Sequence, residues 1–142
     1  LDKVKILDIA KKIEKIMLEF NPSIIFIHDY SDLNQDHKQL THAALIASRP
    51  TYSFIDSVFM FNTPSSTEWG FPRDFKPDVW VDISCKIEEK VKAFECYKSE
   101  IEPYPHPRSK ESLISHAKYW GSHQIMNYAE VFRTVWNRSK IY

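Results

Sequence analysis

Positions 28 to 37 read His28-Asp29-Tyr30-Ser31-Asp32-Leu33-Asn34-Gln35-Asp36-His37, a run with two histidines, three aspartates and an asparagine. Imidazoles and carboxylates ligate divalent metals and move protons near neutral pH. Packed this closely, they suit hydrolysis at a metal: an imidazole on the ion, a carboxylate to fix it, and acid–base groups around an activated water. Residue types alone leave a plainer reading open, a polar turn in which Asp36 caps the helix that follows. The other histidines do not complete a site. His42 falls on another face of that helix, and His116 and His123 lie roughly 10 Å apart along theirs. A His28–Asp32–His37 cluster is conceivable from proximity in the chain.

These groups need a scaffold, and the flanking sequence supplies one. Residues 2–20 carry Ile6, Ile9, Ala10, Ile13, Met17 and Phe20 as one helical stripe, closed by Asn21-Pro22. Ser23 to His28 is a short β-branched apolar run, the pattern of a strand buried on both faces. A helix is expected over Lys38–Arg49, with Leu40, Ala43, Ala44 and Ala47 on one face and Pro50 as its stop. Strands follow at Tyr52–Phe61 and Asp78–Ile83, separated by a Pro/Ser/Thr-bearing loop over 62–76. Ser84 opens a helix to about Ile101, with Ile87, Val91 and Phe94 inward. Ser109 caps a last helix with Leu113, Ala117 and Trp120 inward, and Tyr128–Trp136 closes as a strand. This alternation predicts an α/β fold, a Rossmann-like, mostly parallel sheet with flanking helices, over residues 1–142 as a single domain. In such sheets sites form just past the carboxyl ends of strands, where the 28–37 run falls.

Composition excludes several partner classes. Lys+Arg and Asp+Glu balance at 19 each, so no basic surface for nucleic acid is expected. No apolar run is long enough for a membrane span. With Gly70 and Gly121 as its two glycines, the chain carries no phosphate-cradling loop. Cys85 and Cys96 fall in one expected helix, roughly 16 Å apart, too far for a disulfide. They read as reduced, partly buried thiols, consistent with a cytoplasmic setting. Of the aromatic residues, Trp69, in the long loop with Phe71 and Phe75, suits a substrate lid or an oligomer contact. Tyr119 and Trp120 suit a pocket wall or core packing. Arg108 and Glu130 suit ion pairs that pin the C-terminal elements.

The run Pro22–His28, then Asp32-Leu-Asn-Gln-Asp36-His37 and Ala43-Ala44, resembles the second signature of the PIG-L/LmbE-like zinc-dependent N-deacetylases. Asp82-Ile83-Ser84 with Lys86, Glu89 and Lys90 resembles that family's strand-to-helix junction. His106-Pro107-Arg108-Ser109 resembles its loop before the last helix. Tyr119-Trp120-Gly121 and Tyr128-Ala129-Glu130 with Phe132 resemble its closing segment. The resemblance implies that His37 ligates zinc, that Asp36 is oriented toward the catalytic proton relay, and that Asn34 stands where many members carry a histidine; Asp32, in the same motif, is a further catalytic candidate. An asparagine can donate a hydrogen bond to an oxyanion, but it cannot deliver a proton. The family's Ala-His-Pro-Asp-Asp-Glu type motif is absent from this sequence. The resemblance therefore implies a domain lacking its first strands, with two further zinc ligands and the general base supplied by a preceding segment. The implied reaction removes an acetyl group from an N-acetylated amino sugar or its conjugate. The other reading is a non-catalytic remnant or carbohydrate-binding module of the same fold. In either case an uncovered sheet edge and an apolar helix face are expected to favour a homo-oligomer or a completing chain.

Overall fold

The structure is a computed structural model and describes residues 3–138; the expected start of the first helix at residue 2 lies outside the described residues. The elements are α1 (Ile6–Phe20), β1 (Ile24–His28), α2 (Gln35–Ala47), β2 (Ser57–Phe61), β3 (Val79–Asp82), α3 (Ile87–Glu95), α4 (Lys110–Ser122) and β4 (Ala129–Asn137). The fold is α/β, with one four-stranded sheet in the order β1-β2-β4-β3. β1 and β2 run parallel, Ile24 opposite Ser57 through His28 opposite Phe61. β3 runs antiparallel to β4, Val79 opposite Phe132. Among the described residues the chain forms two compact units, residues 3–76 with 133–138, and residues 77–132.

In the first unit the periodic apolar residues meet as their spacing requires. Ile9 and Ala10 of α1 pack on Ala43 of α2. Met17, Ile27, Ala44, Ala47, Ile55, Val58 and Met60 form the main core, with Val135 and Trp136 against it. Alanines on α2 let the helix lie close on β1. The indole N–H of Trp136 donates to the Ser48 carbonyl at 3.2 Å, so a large apolar ring is buried with its one donor satisfied.

β1 departs from the expectation of burial on both faces. Ile27 is buried, but Ile24 and Phe26, on the opposite face, are 49% and 51% exposed. β1 ends the strand order, and a continuous apolar run does not distinguish an edge strand from a central one. Phe20, expected inward, is 79% exposed; α1 stops there as Asn21 turns left-handed at φ 51°. Leu40 of α2 is also exposed.

Other boundaries shift for local reasons. β2 begins at Ser57 rather than Tyr52, because pairing beside β1 starts where the Asp56 and Ser57 amides both reach the Ser23 carbonyl. In the second unit, the Ser84 amide and hydroxyl both bond Asp82 Oδ1, at 2.8 and 2.5 Å. Ser84 thus completes a turn on Asp82 instead of capping, and α3 starts only at Ile87. It ends at Glu95, short of Ile101, in turns closed by Tyr97 onto Phe94 and Glu100 onto Tyr97. Cys85 and Cys96 therefore lie outside α3, and both are exposed rather than partly buried. Ile87, Val91, Leu113, Ala117, Ala129 and Val131 form the buried apolar set. Ser109 caps α4 through the Ser112 amide at 3.1 Å, as expected. Arg108 pairs with Glu100, and Glu130 with Lys90 at 2.5 Å, so both expected ion-pair residues are paired.

Candidate metal centre

The 28–37 run folds as a chain of tight turns at the carboxyl end of β1. His28 is the last residue of that strand, and its carbonyl accepts the Thr41 hydroxyl of α2 at 3.1 Å. Asp29 follows, wholly buried. Its Oδ1 takes the Ser31 amide at 2.9 Å and the Ser31 hydroxyl at 2.5 Å, and its carbonyl takes the Asp32 amide at 3.1 Å. Arg133 of β4 stands 3.6 Å from Asp29 Oδ2, with its guanidinium 4.6 Å over the Tyr30 ring. Tyr30 donates in turn to Asp74. A buried carboxylate at the head of the loop is thus opposed by a cation rather than left uncompensated.

α2 starts at Gln35, earlier than Lys38, and its cap is Asn34, not Asp36. Asn34 sits at φ −67°, ψ 124°, with Oδ1 accepting the Asp36 amide at 2.9 Å and the His37 amide at 3.4 Å. Asp36 lies in the exposed first turn of α2, where a carboxylate suits the helix dipole.

Asp32 is the hub. It is 0% exposed, and its Oδ1 accepts the Asn34 amide at 2.8 Å and the Ser66 hydroxyl. Its Oδ2 lies 3.0 Å from His37 Nδ1. Burial works to raise its pKa, yet the bonds from Ser66, His37 and the Asn34 amide outweigh it and hold the carboxyl below its ordinary value. An ionised carboxylate at Nδ1 places the ring proton there and leaves the Nε2 lone pair to a metal. His28 lies against His37, with ring centroids 3.9 Å apart and planes 7° from parallel. Its Nδ1 is 3.0 Å from the Thr63 hydroxyl. Burial lowers its pKa, the charge of His37 adds to this, and Asp32 opposes it.

Donor atoms of His28, Asp32 and His37 lie within 4.8 Å of one another, so this group could hold a metal ion. Imidazole and carboxylate are donor types that zinc takes, and one of the two imidazoles is already oriented by the carboxylate. Of the residues singled out from sequence, Asp32 and His37 meet directly. Asn34 serves the helix cap, and Asp36 stands beside His37 in the chain but outside the cluster. His116 accepts the Trp120 indole N–H at 3.0 Å, and His123 lies against Trp120 and Tyr119. Both belong to an aromatic ladder along α4.

The loop after β2 contributes residues that sequence reading passed over. Ser66 bonds Asp32, the Ser66 carbonyl takes the Leu33 amide at 3.1 Å, and Thr63 meets His28. Thr67 Oγ1 accepts the Thr63 amide at 2.7 Å and closes the loop on itself. Gly70 packs so tightly that a Cβ there would come 1.9 Å from the Ser31 carbonyl oxygen. The available signal was a Ser/Thr cluster following a strand, the same rule that marked 28–37. Trp69 and Phe71 in this loop are exposed.

No family model matches this chain, and no curated protein does. Solved structures of similar fold exist. The conserved protein TT1542 of Thermus thermophilus superposes with a TM-score of 0.73 at 19% identity over 94% of this chain. GalB, the 4-carboxy-2-hydroxymuconate hydratase of Pseudomonas putida, gives 0.71 at 19% over 95%. The N,N'-diacetylchitobiose deacetylase of Pyrococcus horikoshii gives 0.66 at 19% over 94%. This chain spans 61% of the length of the first two and 53% of the third. Among the described residues no helix is long and apolar enough to cross a membrane. At this level of identity the likeness establishes a shared α/β fold with these proteins.

Proposed function

We propose that this chain is the C-terminal part of a PIG-L/LmbE-like, zinc-dependent N-deacetylase acting on an N-acetylated amino sugar or its conjugate. The observation that carries the reading is the bond between buried Asp32 and His37 Nδ1 at the mouth of β1. A polar turn needs a cap, which Asn34 already supplies, but it has no need of a carboxylate that fixes an imidazole tautomer. The fold shared with a chitobiose deacetylase supports the substrate class.

In this reading His37 Nε2 holds zinc, and Asp32 keeps the ring oriented and raises its basicity. Asp32 accepts three hydrogen bonds, so it is a positioning residue. Asp36, beside His37 in the first turn of α2, is the carboxylate assigned to the proton relay. Bound zinc supplies a Lewis acid for the amide carbonyl and a more acidic water. The Asn34 NH₂, whose partner oxygen is committed to the cap, is a donor for the oxyanion. The other protein ligands and the general base come from a segment outside this chain, in keeping with the span of the similar solved chains.

The test is zinc content and acetate release from N-acetyl amino sugars, measured on the intact protein. One equivalent of zinc and acetate release are expected, both lost in His37→Ala. An intact, zinc-loaded protein that releases no acetate from any such sugar refutes the deacetylase assignment.

A further inference from the structure

His28 offers an imidazole at the same mouth as His37, and proximity alone would make both of them ligands. The orientation of the rings separates them. A ring nitrogen bonds a metal in the plane of its own ring, at about 2.0–2.1 Å for zinc. Here the two planes are 7° from parallel and the centroids 3.9 Å apart, so the rings lie face to face near van der Waals contact. An ion midway between them would stand off each plane by nearly the length of a whole Zn–N bond. One ion cannot lie in both planes.

The choice between the rings falls on His37, whose Nδ1 is fixed by Asp32. The Nδ1 partner of His28 is a hydroxyl, Thr63 Oγ1. A hydroxyl both donates and accepts, so neither tautomer of His28 is imposed. Its carbonyl is held by Thr41, and its ring touches both His37 and Phe61, the latter with its centroid 4.7 Å away. His28 is therefore held in place while its Nε2 is left able to donate or accept. An amide presents one carbonyl acceptor and one N–H donor, and such an imidazole can serve either.

We infer that His28 is a substrate-facing hydrogen-bonding residue for the amide, stacked on the ligand His37, and not itself a metal ligand. The inference rests on the zinc reading above and assigns a role to a residue that the reading leaves without one.

The test measures zinc affinity and activity of the intact protein and of His28→Gln and His37→Gln, with zinc-induced shifts of the imidazole nitrogens read by NMR on the unsubstituted protein. His28→Gln is expected to keep zinc affinity within about threefold and to lose at least tenfold in kcat/KM. His37→Gln is expected to lose at least a hundredfold in zinc affinity. Zinc should move the His37 Nε2 resonance strongly and leave the His28 nitrogens without a metal-bond shift, a readout that stands even if His28→Gln does not fold. Equal loss of zinc in both variants, or a metal-bond shift at His28, overturns the assignment. Retained zinc with full activity in His28→Gln overturns the substrate role alone. A parent protein that binds no zinc sinks the zinc reading, and this assignment with it.

Discussion

Asp32→Asn isolates the carboxylate on which the site turns, because the change is nearly isosteric and its consequences follow from three bonds. Oδ1 accepts the Ser66 hydroxyl and the Asn34 amide, and Oδ2 faces His37 Nδ1. An asparagine that keeps its oxygen at the first position retains two of these bonds and points its NH₂ at the third. The flipped amide would set NH₂ against two donors and is worse. His37 Nδ1 must then accept, and its proton moves to Nε2, the nitrogen assigned to the metal. Exchanging a bond to a charged acceptor for one between neutral groups costs about 1 kcal/mol of stability, the difference between the two kinds. Mutation of an orienting carboxylate typically costs 10- to 100-fold in metal affinity, or about 1.4–2.8 kcal/mol. Competition against a chromophoric chelator reads the affinity, and nitrogen NMR reads the tautomer. The stability deficit also has a sign in pH. The carboxyl is held below its ordinary 3.8 in the folded state, so its contribution is complete above that value. It disappears as the pH falls through the folded pKa, and the variant and the parent should converge in acid. Zinc affinity within threefold of the parent, with the His37 proton still on Nδ1, would refute the reasoning.

Asn34→Ala removes the side-chain acceptor of α2 and should lower stability by about 0.5–2 kcal/mol in urea unfolding, with Asn34→Asp close to the parent. Gly70→Ala forces a Cβ onto the Ser31 carbonyl; a cost of about 1–3 kcal/mol is expected, with weakened metal binding because the site loop shifts. The His116 imidazole is held below its ordinary 6.5 by burial and by the charge of Lys90. The unfolded chain therefore binds the extra proton first, and stability should fall as the pH drops below about 6.5. Urea midpoints between pH 7.5 and 5 should show that slope, and His116→Gln, which can still accept from Trp120, should reduce it to the part due to His28, whose pKa is likewise lowered.

The sequence was most legible where contacts are local. β1, its turn and α2 are contiguous, and strand pattern, turn chemistry and cap residues agree over that stretch. Even there, Asn34 and Asp36 are both good caps by type. The register of α2 was settled by Asn34 alone combining extended backbone with an oxygen that reaches two amides. Burial of β1 is not legible in the sequence, because Ile24–Ile27 reads alike in a central strand and in an edge strand, and strand order is a non-local property. The Ser66–Asp32 bond spans 34 residues and exists because β2 runs parallel beside β1, so that the two following loops emerge at the same end. Arg133 reaches Asp29 from β4, still farther along the chain.

These non-local partners decide what the histidines can do. By residue type and spacing alone, His28 and His37 are equivalent, both polar residues flanking a turn and both of ligand type. They become unequal through a carboxylate on one ring and a hydroxyl on the other. The carboxylate is a fixed acceptor and imposes one tautomer; the hydroxyl can reverse its role and imposes none. Spacing within 28–37 encodes only half of this difference, because Asp32 belongs to that run while Thr63 comes from the loop after β2. Asp32, held by Ser66, and Thr63 therefore divide the imidazoles in this proposal, one ring with a fixed tautomer for a metal and one left free for an amide. Exchanging their chemistry tests the division directly. A carboxylate at position 63, as in Thr63→Asp, should fix a proton on His28 Nδ1 and make its Nε2 a stronger metal donor. With the two rings still face to face, zinc stoichiometry should remain one, and a second equivalent bound at His28 would show that ring orientation does not limit the site.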